Sequence, residues 1–137
     1  MSVVTKAALK AKFETGDFPT QQNFTDFVDT VYPYEKYVAL LTETTPGAPV
    51  ATVLENTLGG TVVWSYNGVG DYTATLASAF TANKTVVIVG NVLDNTARMP
   101  KIVLTSTSAI QLLVYNGASS LADNALTNTP IEIRVYP

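Results

Sequence analysis

The chain has 137 residues, enough for one domain with a small additional segment. Its formal net charge of -3 leaves no surplus of basic residues to hold a phosphate backbone, so nucleic acid is not an expected partner. The absence of cysteine and histidine excludes disulfides, thiolate nucleophiles, Ser-His-Asp and Cys-His arrangements and the usual zinc sites. We therefore expect no metal, no cofactor and no enzymatic activity.

The N-terminal residues predict a short helix over about 6–14. Thr5 is placed to cap its start and Gly16 follows its end, while Leu9 and Phe13 form an apolar pair at i and i+4. Lysines interrupt this stretch, so it does not have the apolar core of a signal peptide. No apolar run elsewhere is long enough to span a bilayer, and we expect synthesis in the cytoplasm and no membrane partner.

A second helix is predicted over 21–31. Thr20 is placed to cap it, and Pro33 ends it. Phe18 precedes the cap, where it could pack on Phe24 as a hydrophobic staple. The helix has a strongly apolar face, whose members recur at i, i+3, i+4 and i+7: Phe24, Phe27, Val28 and Val31.

Two helices of about ten residues are marginal in water, so the apolar face needs a surface to bury against. One interpretation is a helical hairpin packed on the chain's own β domain. The other is a docking or oligomerisation segment that binds a second copy or another protein. The candidate anchoring residues under the second interpretation are Leu9, Phe13, Phe18, Phe24, Phe27, Val28 and Val31.

The rest of the chain predicts an all-β domain. Val and Thr dominate it, with Gly and Pro between apolar runs. Eight strands are predicted, over 37–43, 49–55, 61–66, 72–77, 85–90, 101–105, 110–115 and 130–136. Their spacing is typical of an antiparallel β-sandwich of the jelly-roll type. The predicted organisation is a helical segment over 1–37 and a β-sandwich over 38–137.

Four of these strands carry more specific patterns. Strands 61–66 and 72–77 flank a short segment with two glycines and predict a hairpin. The last strand alternates, with Ile131 and Ile133 on one face and Glu132 on the other. The strand at 85–90 is continuously apolar, which favours a central strand buried on both faces. Because the strands carry little charge, we expect a closed oligomer or covered edges.

A pair of carboxylates is a further candidate catalytic site, because glycoside hydrolysis needs two of them and no histidine. Those of the β region are Glu43, Glu55, Asp71, Asp94, Asp123 and Glu132. They follow no pattern that places two in a cleft, and solvated turn or strand-face carboxylates are the preferred interpretation. A small glycosidase or lyase stays as a third hypothesis.

Aromatic residues on the predicted hairpin are the other candidate site. Trp64 and Tyr66 share a strand face and Tyr72 lies across the hairpin, so the three could stack on a sugar ring. The alternative is that Trp64 is the core aromatic residue of the sandwich, with the tyrosines at its margin.

The segment from Leu9 to Asp29 contains a recurrent motif, Lys-Phe-x-Thr-Gly-x-x-Pro-Thr-x-x-x-Phe-x-Asp followed by two hydrophobic residues and Asp. It resembles the N-terminal segment of virion structural proteins, of the head-fibre, appendage or decoration type, from phages and prophages of Bacteroidetes. The C-terminal part is similar to the small β modules that end such proteins, in residues 56–60, Trp64, residues 80–85 and residues 131–136.

The resemblance implies a protein of the virion that attaches through its helical segment to a capsid or other virion protein. Only about twenty residues, 34–53, separate the two matching parts, which favours a compact decoration, spike or short head fibre over a long fibre. It also implies a homo-oligomer, with a trimer favoured. The competing function is a carbohydrate-binding or receptor-binding module that recognises a host surface glycan through Trp64, Tyr66 and Tyr72.

Overall fold

The computed structural model describes residues 4–13, 16, 18–31, 33–90, 98–117 and 119–137. By its contacts the chain divides into two compact units. The first, here the helical unit, is Met1–Tyr34 with Tyr136–Pro137, and the second, the β unit, is Glu35–Val135. The first strand therefore begins inside the segment that the sequence analysis assigned to the helices.

The first helix of the helical unit is shorter than predicted. Helix α1 spans Lys6–Ala11, and the Thr5 hydroxyl caps it by accepting a hydrogen bond from the Ala8 backbone N–H at 3.2 Å. The N–H groups of Lys12 and Phe13 then donate to carbonyls three residues earlier, both at 3.1 Å. This tighter bonding closes the last turn and ends the helix. Glu14, the predicted last residue, lies outside the described residues.

The second helix begins and ends where the sequence predicted. Helix α2 spans Gln21–Val31, and Thr20 caps it by accepting from the Asn23 N–H at 3.3 Å. The predicted hydrophobic staple is wrong, because Phe18 is 95% exposed. Phe24 packs instead on Phe13, with ring centroids 5.9 Å apart. Phe13, which follows α1, thus makes the contact with Phe24 that was expected from Phe18.

Among its described residues, the β unit has eight strands in two antiparallel sheets of four, which confirms the mainly β fold and its sandwich-like arrangement. The strands are β1 Glu35–Thr42, β2 Val50–Asn56, β3 Val63–Gly68, β4 Asp71–Thr75, β5 Thr85–Val89, β6 Arg98–Ser106, β7 Ala109–Asn116 and β8 Thr129–Val135. The first sheet has the order β2-β1-β8-β5, and the second has the order β3-β4-β7-β6.

Three pairs of consecutive strands are neighbours within a sheet: β1 with β2, β3 with β4, and β6 with β7. The predicted hairpin is the β3–β4 pair and is confirmed. The jelly-roll connectivity is not confirmed by this strand order. The other pairings join strands that are far apart in the chain: β1 with β8, β5 with β8, and β4 with β7.

The core lies between the inner faces of the two sheets. The first sheet contributes the alternating positions Tyr37, Ala39, Leu41, Ile131 and Ile133. The second contributes Trp64, Tyr72, Ala74, Ile110, Leu112 and Val114, and loop residues including Phe80 and Leu126 complete the cluster. The Trp64 indole N–H donates to the Tyr37 hydroxyl at 3.3 Å, so a hydrogen bond joins the two sheets inside the core.

Strand β5 is not the central strand that its continuous apolar run predicted. It lies at the end of the first sheet, and among the described residues it pairs with β8 alone. Val87 and Val89 pack against the core, whereas Val86 and Ile88 point outward and are exposed. The apolar run therefore covers both faces of an edge strand, and the side that faces solvent is apolar as well.

Candidate functional site

A partly buried polar network, centred on Asp26, holds the two helices of the helical unit together. Asp26 is the buried residue of α2, only 3% exposed, and it forms an ion pair with Lys12 at the end of α1. Its other carboxylate oxygen accepts from the Gln22 side-chain amide at 2.9 Å. The Asn23 amide donates to the Lys12 carbonyl at 3.4 Å. Since a buried carboxylate is costly without partners, these bonds fix how the helices cross.

The apolar side of the same helices is exposed. Phe24 and Phe27 on α2 are 56% and 46% exposed, and Phe13 is exposed to a similar degree. The Phe13 ring packs edge-on against both of them, with centroids 5.9 Å from Phe24 and 6.2 Å from Phe27. Such edge-to-face contacts fix ring positions. The unit thus places one ion pair between its helices and leaves its aromatic surface exposed, whereas an ordinary helical hairpin buries its apolar face.

These aromatic rings line an open concavity of about 450 Å³ in the helical unit. Its walls are Leu9, Lys10, Phe13, Phe24 and Phe27, and nearly all of the lining surface is apolar. We call it the aromatic concavity. A volume of this size accommodates one or two large apolar side chains of another molecule.

Four of the seven predicted anchoring residues meet in the aromatic concavity: Leu9, Phe13, Phe24 and Phe27. Val28 and Val31 are exposed on α2 but do not line it. Phe18 is almost fully exposed and separate from it.

The motif within Leu9–Asp29 contains Lys12 and Asp26, but the sequence analysis did not predict that the two side chains pair. The signal was present as a polar row at i, i+4 and i+8, namely Gln22, Asp26 and Thr30, on the side of α2 opposite the aromatic residues. In the structure Thr30 accepts a hydrogen bond from the Val4 N–H at 3.3 Å. A polar row on a helix normally faces solvent, and only the position of α1 makes this one an internal contact.

The aromatic residues of the β3–β4 hairpin do not form a stacking surface. Trp64 is 8% exposed and Tyr72 is 0% exposed, and both belong to the core. Tyr66 lies directly opposite Tyr72 and is half-buried, and its hydroxyl donates to Asp123 at 3.0 Å. Two of the three rings therefore have no face free for a ligand. Trp64 is a core aromatic residue of the sandwich, as the alternative interpretation predicted.

The described carboxylates of the β region are engaged in structural contacts. The Tyr72 hydroxyl donates to Glu43 at 2.5 Å, and Asp123 accepts from Tyr66 and from the Gly70 N–H at 2.8 Å. The other partners are Lys36 for Glu55, Gln111 for Asp71 and Arg134 for Glu132. Asp94 lies outside the described residues. In the described part of the chain, no three carboxylates lie together in a group that could hold a metal ion.

The sequence analysis did not predict that Glu43 and Asp123 belong to one cluster, because the two residues are far apart in the chain. They meet through the neighbouring rings of Tyr66 and Tyr72, whose centroids are 6.0 Å apart. Glu43 is buried, and its second oxygen accepts from the Gly47 N–H at 3.3 Å. Each carboxylate is thus satisfied by donors from the fold, and the cluster ties loops to the hairpin.

Alkaline pH is expected to destabilise the β unit. Burial and the neighbouring carboxylates raise the pKa of Tyr72 far above its ordinary value, and burial also raises the pKa of Tyr37 and of Tyr66. The folded chain therefore keeps these protons when the unfolded chain loses them near pH 10. The free energy of unfolding should fall above pH 10, with Tyr72 alone contributing a slope approaching about 1.4 kcal/mol per pH unit.

Urea titrations between pH 8 and 11 measure this effect. In the Tyr72→Phe variant the fall above pH 10 should be shallower than in the natural chain, because one raised phenol is gone. Equal slopes for the two proteins would contradict the assignment.

The chain matches no protein-family model, no curated protein and no solved structure. Within the described residues, no helix is both long enough and apolar enough to cross a membrane.

Proposed function

We propose that this chain is a non-enzymatic structural protein of a phage virion, a short head fibre, spike or capsid decoration. The helical unit anchors it to a capsid or other virion protein, and the β unit is displayed. The observation that carries the proposal is the aromatic concavity, an apolar surface on a helical unit whose two helices are joined by the ion pair of Lys12 with Asp26. The motif over Leu9–Asp29 and its resemblance to virion attachment segments support it.

The energetics of the helical unit favour docking on another molecule. Helices of 6 and 11 residues are too short to be stable by helix propensity alone. Full burial of a large apolar side chain contributes about 1.5–3 kcal/mol, and three half-exposed phenylalanines leave much of that unrealised. The ion pair of Lys12 with Asp26 holds the rings in place before docking, which lowers the entropy lost on binding.

The partner site should be an apolar projection that fits this concavity. Lys10 on its wall is a cation of the helical unit, so an acidic residue beside the projection would add a favourable contact.

The β unit suits display because it has its own core between two sheets. Its carboxylates are held by internal donors, which supports a structural role over hydrolysis. The buried positions of Trp64 and Tyr72 likewise favour a structural role over glycan stacking on this hairpin.

Particle incorporation tests the proposal. Particles that lack the protein are supplied with the full chain, with the Phe24→Ser/Phe27→Ser variant, or with a fragment of residues 35–137. The full chain should join the particles and appear as added density by electron microscopy. The double variant and the fragment should be reduced at least about tenfold, since two buried rings contribute several kcal/mol.

The control is Val53→Ser, which changes an equally exposed apolar residue of β2 in the β unit. It should join particles like the natural chain. Normal incorporation of the Phe24→Ser/Phe27→Ser variant would overturn anchoring through the aromatic concavity. Absence of the full chain from particles would overturn the virion assignment itself.

A further inference from the structure

The four edge strands of the β unit differ in how they are protected against pairing. Strand β2 carries Glu55 and a bulge opposite Val38 and Ala39, and β3 carries a bulge between Tyr66 and Gly68. Strand β6 carries Pro100 and Lys101 together with a bulge near its end. Charges, prolines and bulges are the devices that prevent edge-to-edge association.

Strand β5 has none of these devices. Its sequence, Thr-Val-Val-Ile-Val, contains no charge, proline or glycine, and its register with β8 is regular throughout. Its outward side chains, Val86 and Ile88, are both about half exposed. A regular, neutral, apolar edge is a template for one more antiparallel strand.

The backbone of β5 shows which groups that strand would meet. The Gly90 N–H donates to the Pro130 carbonyl of β8 at 2.9 Å. Because backbone groups alternate in direction along a strand, Val86 and Ile88 also face β8. Thr85, Val87 and Val89 then direct their N–H and C=O groups away from β8, to the outer edge of the sheet.

We propose that β5 pairs with β5 of a second copy of this chain about a two-fold axis at Val87, joining the two first sheets into one sheet of eight strands. In this register Thr85 pairs with Val89 of the other copy, and Val87 pairs with Val87 of the other copy. All three outward-directed residues are used, for about six backbone hydrogen bonds. The same arrangement places Ile88 beside Val86 of the other copy on the exposed face.

Charge on the neighbouring strand favours a second copy as the occupant. Ile88 lies beside Glu132 of β8, and Val86 lies beside Arg134. Across the two-fold axis, a row of neighbouring side chains runs from Glu132 through Ile88 of one copy to Val86 and then Arg134 of the other copy. The row that contains Arg134 also contains Lys36, but each copy pairs Arg134 with Glu132 and Lys36 with Glu55. The face beside β5 therefore carries no net charge that would repel a second copy.

A dimer of this kind differs from the trimer that the virion resemblance implies. A trimer built through β5 would require head-to-tail pairing with a different edge strand of the next copy. The other edges carry charges, bulges or proline, whereas β5 is complementary to itself.

Molar mass by light scattering tests the dimer, using the full chain over about 1–100 μM, the range of a micromolar dissociation constant. The natural chain should be a dimer. Ile88→Lys places a charge on the proposed interface and should raise the dissociation constant at least about tenfold. Val50→Lys is the matched control at the opposite edge of the same sheet, since Val50 pairs with Thr42 on the outer side of the sheet and is 71% exposed. It should leave the dimer intact.

Disulfide trapping fixes the register, because the natural chain has no cysteine. Val86 and Ile88 of the other copy form a directly opposed pair, with Cα atoms about 4.5 Å apart, within disulfide range. Equivalent residues, such as the two copies of Val86, lie on a diagonal of about 7–8 Å, outside that range. Coexpressed Val86→Cys and Ile88→Cys chains should crosslink to each other, while neither variant should crosslink alone.

A monomer, a trimer, or a dimer broken by Val50→Lys and not by Ile88→Lys would overturn the proposed pairing. Efficient crosslinking of either single variant alone would overturn its register. These outcomes leave anchoring in place, because incorporation is tested with Phe24 and Phe27 of the helical unit.

Discussion

Gly70→Ala is expected to lower the free energy of unfolding by about 3–5 kcal/mol. Gly70 forms the β3–β4 turn with φ of +60°, a conformation that costs a residue with a side chain about 1 kcal/mol or more. An added Cβ would lie 2.6 Å from the Ala122 N and 2.7 Å from the Val114 O. Because both are backbone atoms, a strand or loop would have to move. That movement would also disturb the bond from the Gly70 N–H to Asp123.

Two other glycines separate these causes. Gly59 has φ of +78°, and an added Cβ would meet nothing within 4 Å, so Gly59→Ala should cost only about 1–2 kcal/mol, the conformational part. Gly68 has neither a positive φ nor a close neighbour, and Gly68→Ala should be within about 1 kcal/mol of the natural chain. Urea unfolding measures all three. Equal costs at Gly70 and Gly59 would show that the close approach to Ala122 and Val114 does not limit the turn.

Tyr72→Phe is expected to lower the free energy of unfolding by about 2–4 kcal/mol at neutral pH. The phenol is fully buried and donates to Glu43, which is itself buried. Removing the hydroxyl leaves one carboxylate oxygen without its donor in a site that water does not reach freely. The cost should therefore exceed that of an ordinary hydrogen bond.

A double-mutant cycle isolates this interaction. In a Glu43→Met background the carboxylate is absent, so adding Tyr72→Phe should cost less by about 1.5–3 kcal/mol. Tyr66→Phe is the matched control on the opposing strand, since it removes the bond to Asp123 from a half-buried ring. It should cost about 1 kcal/mol. Additive effects of Tyr72→Phe and Glu43→Met would contradict the coupling.

Local patterns predicted the elements well. Helix α2 lies where the spacing of Phe24, Phe27 and Val31 and the Thr20 cap predicted it, because capping and a 3.6-residue period are properties of adjacent residues. All eight strands were predicted, and their observed bounds differ by only a few residues. The alternation of the last strand also predicted that Ile131 and Ile133 would be buried.

Errors arose where a distant partner decides the outcome. The composition of β5 resembles that of a central strand, but its place at the end of a sheet follows from pairing with β8, about forty residues later in the chain. The exposure of Phe18 likewise depends on a distant residue, since Phe13 near the end of α1 packs against Phe24. Neither contact leaves a signal within a window of ten residues.

The sequence by itself determined the helical start, the eight strands, the apolar face of α2 and the scarcity of catalytic groups, because composition and short-range periodicity act through neighbouring residues. The tertiary structure alone decided that Asp26 is buried against Lys12, that Trp64 belongs to the core, that Glu43 meets Tyr72, and that β5 is an edge. Burial and hydrogen bonding depend on which distant segments meet, and the same side chain is a core residue or a surface residue according to that meeting.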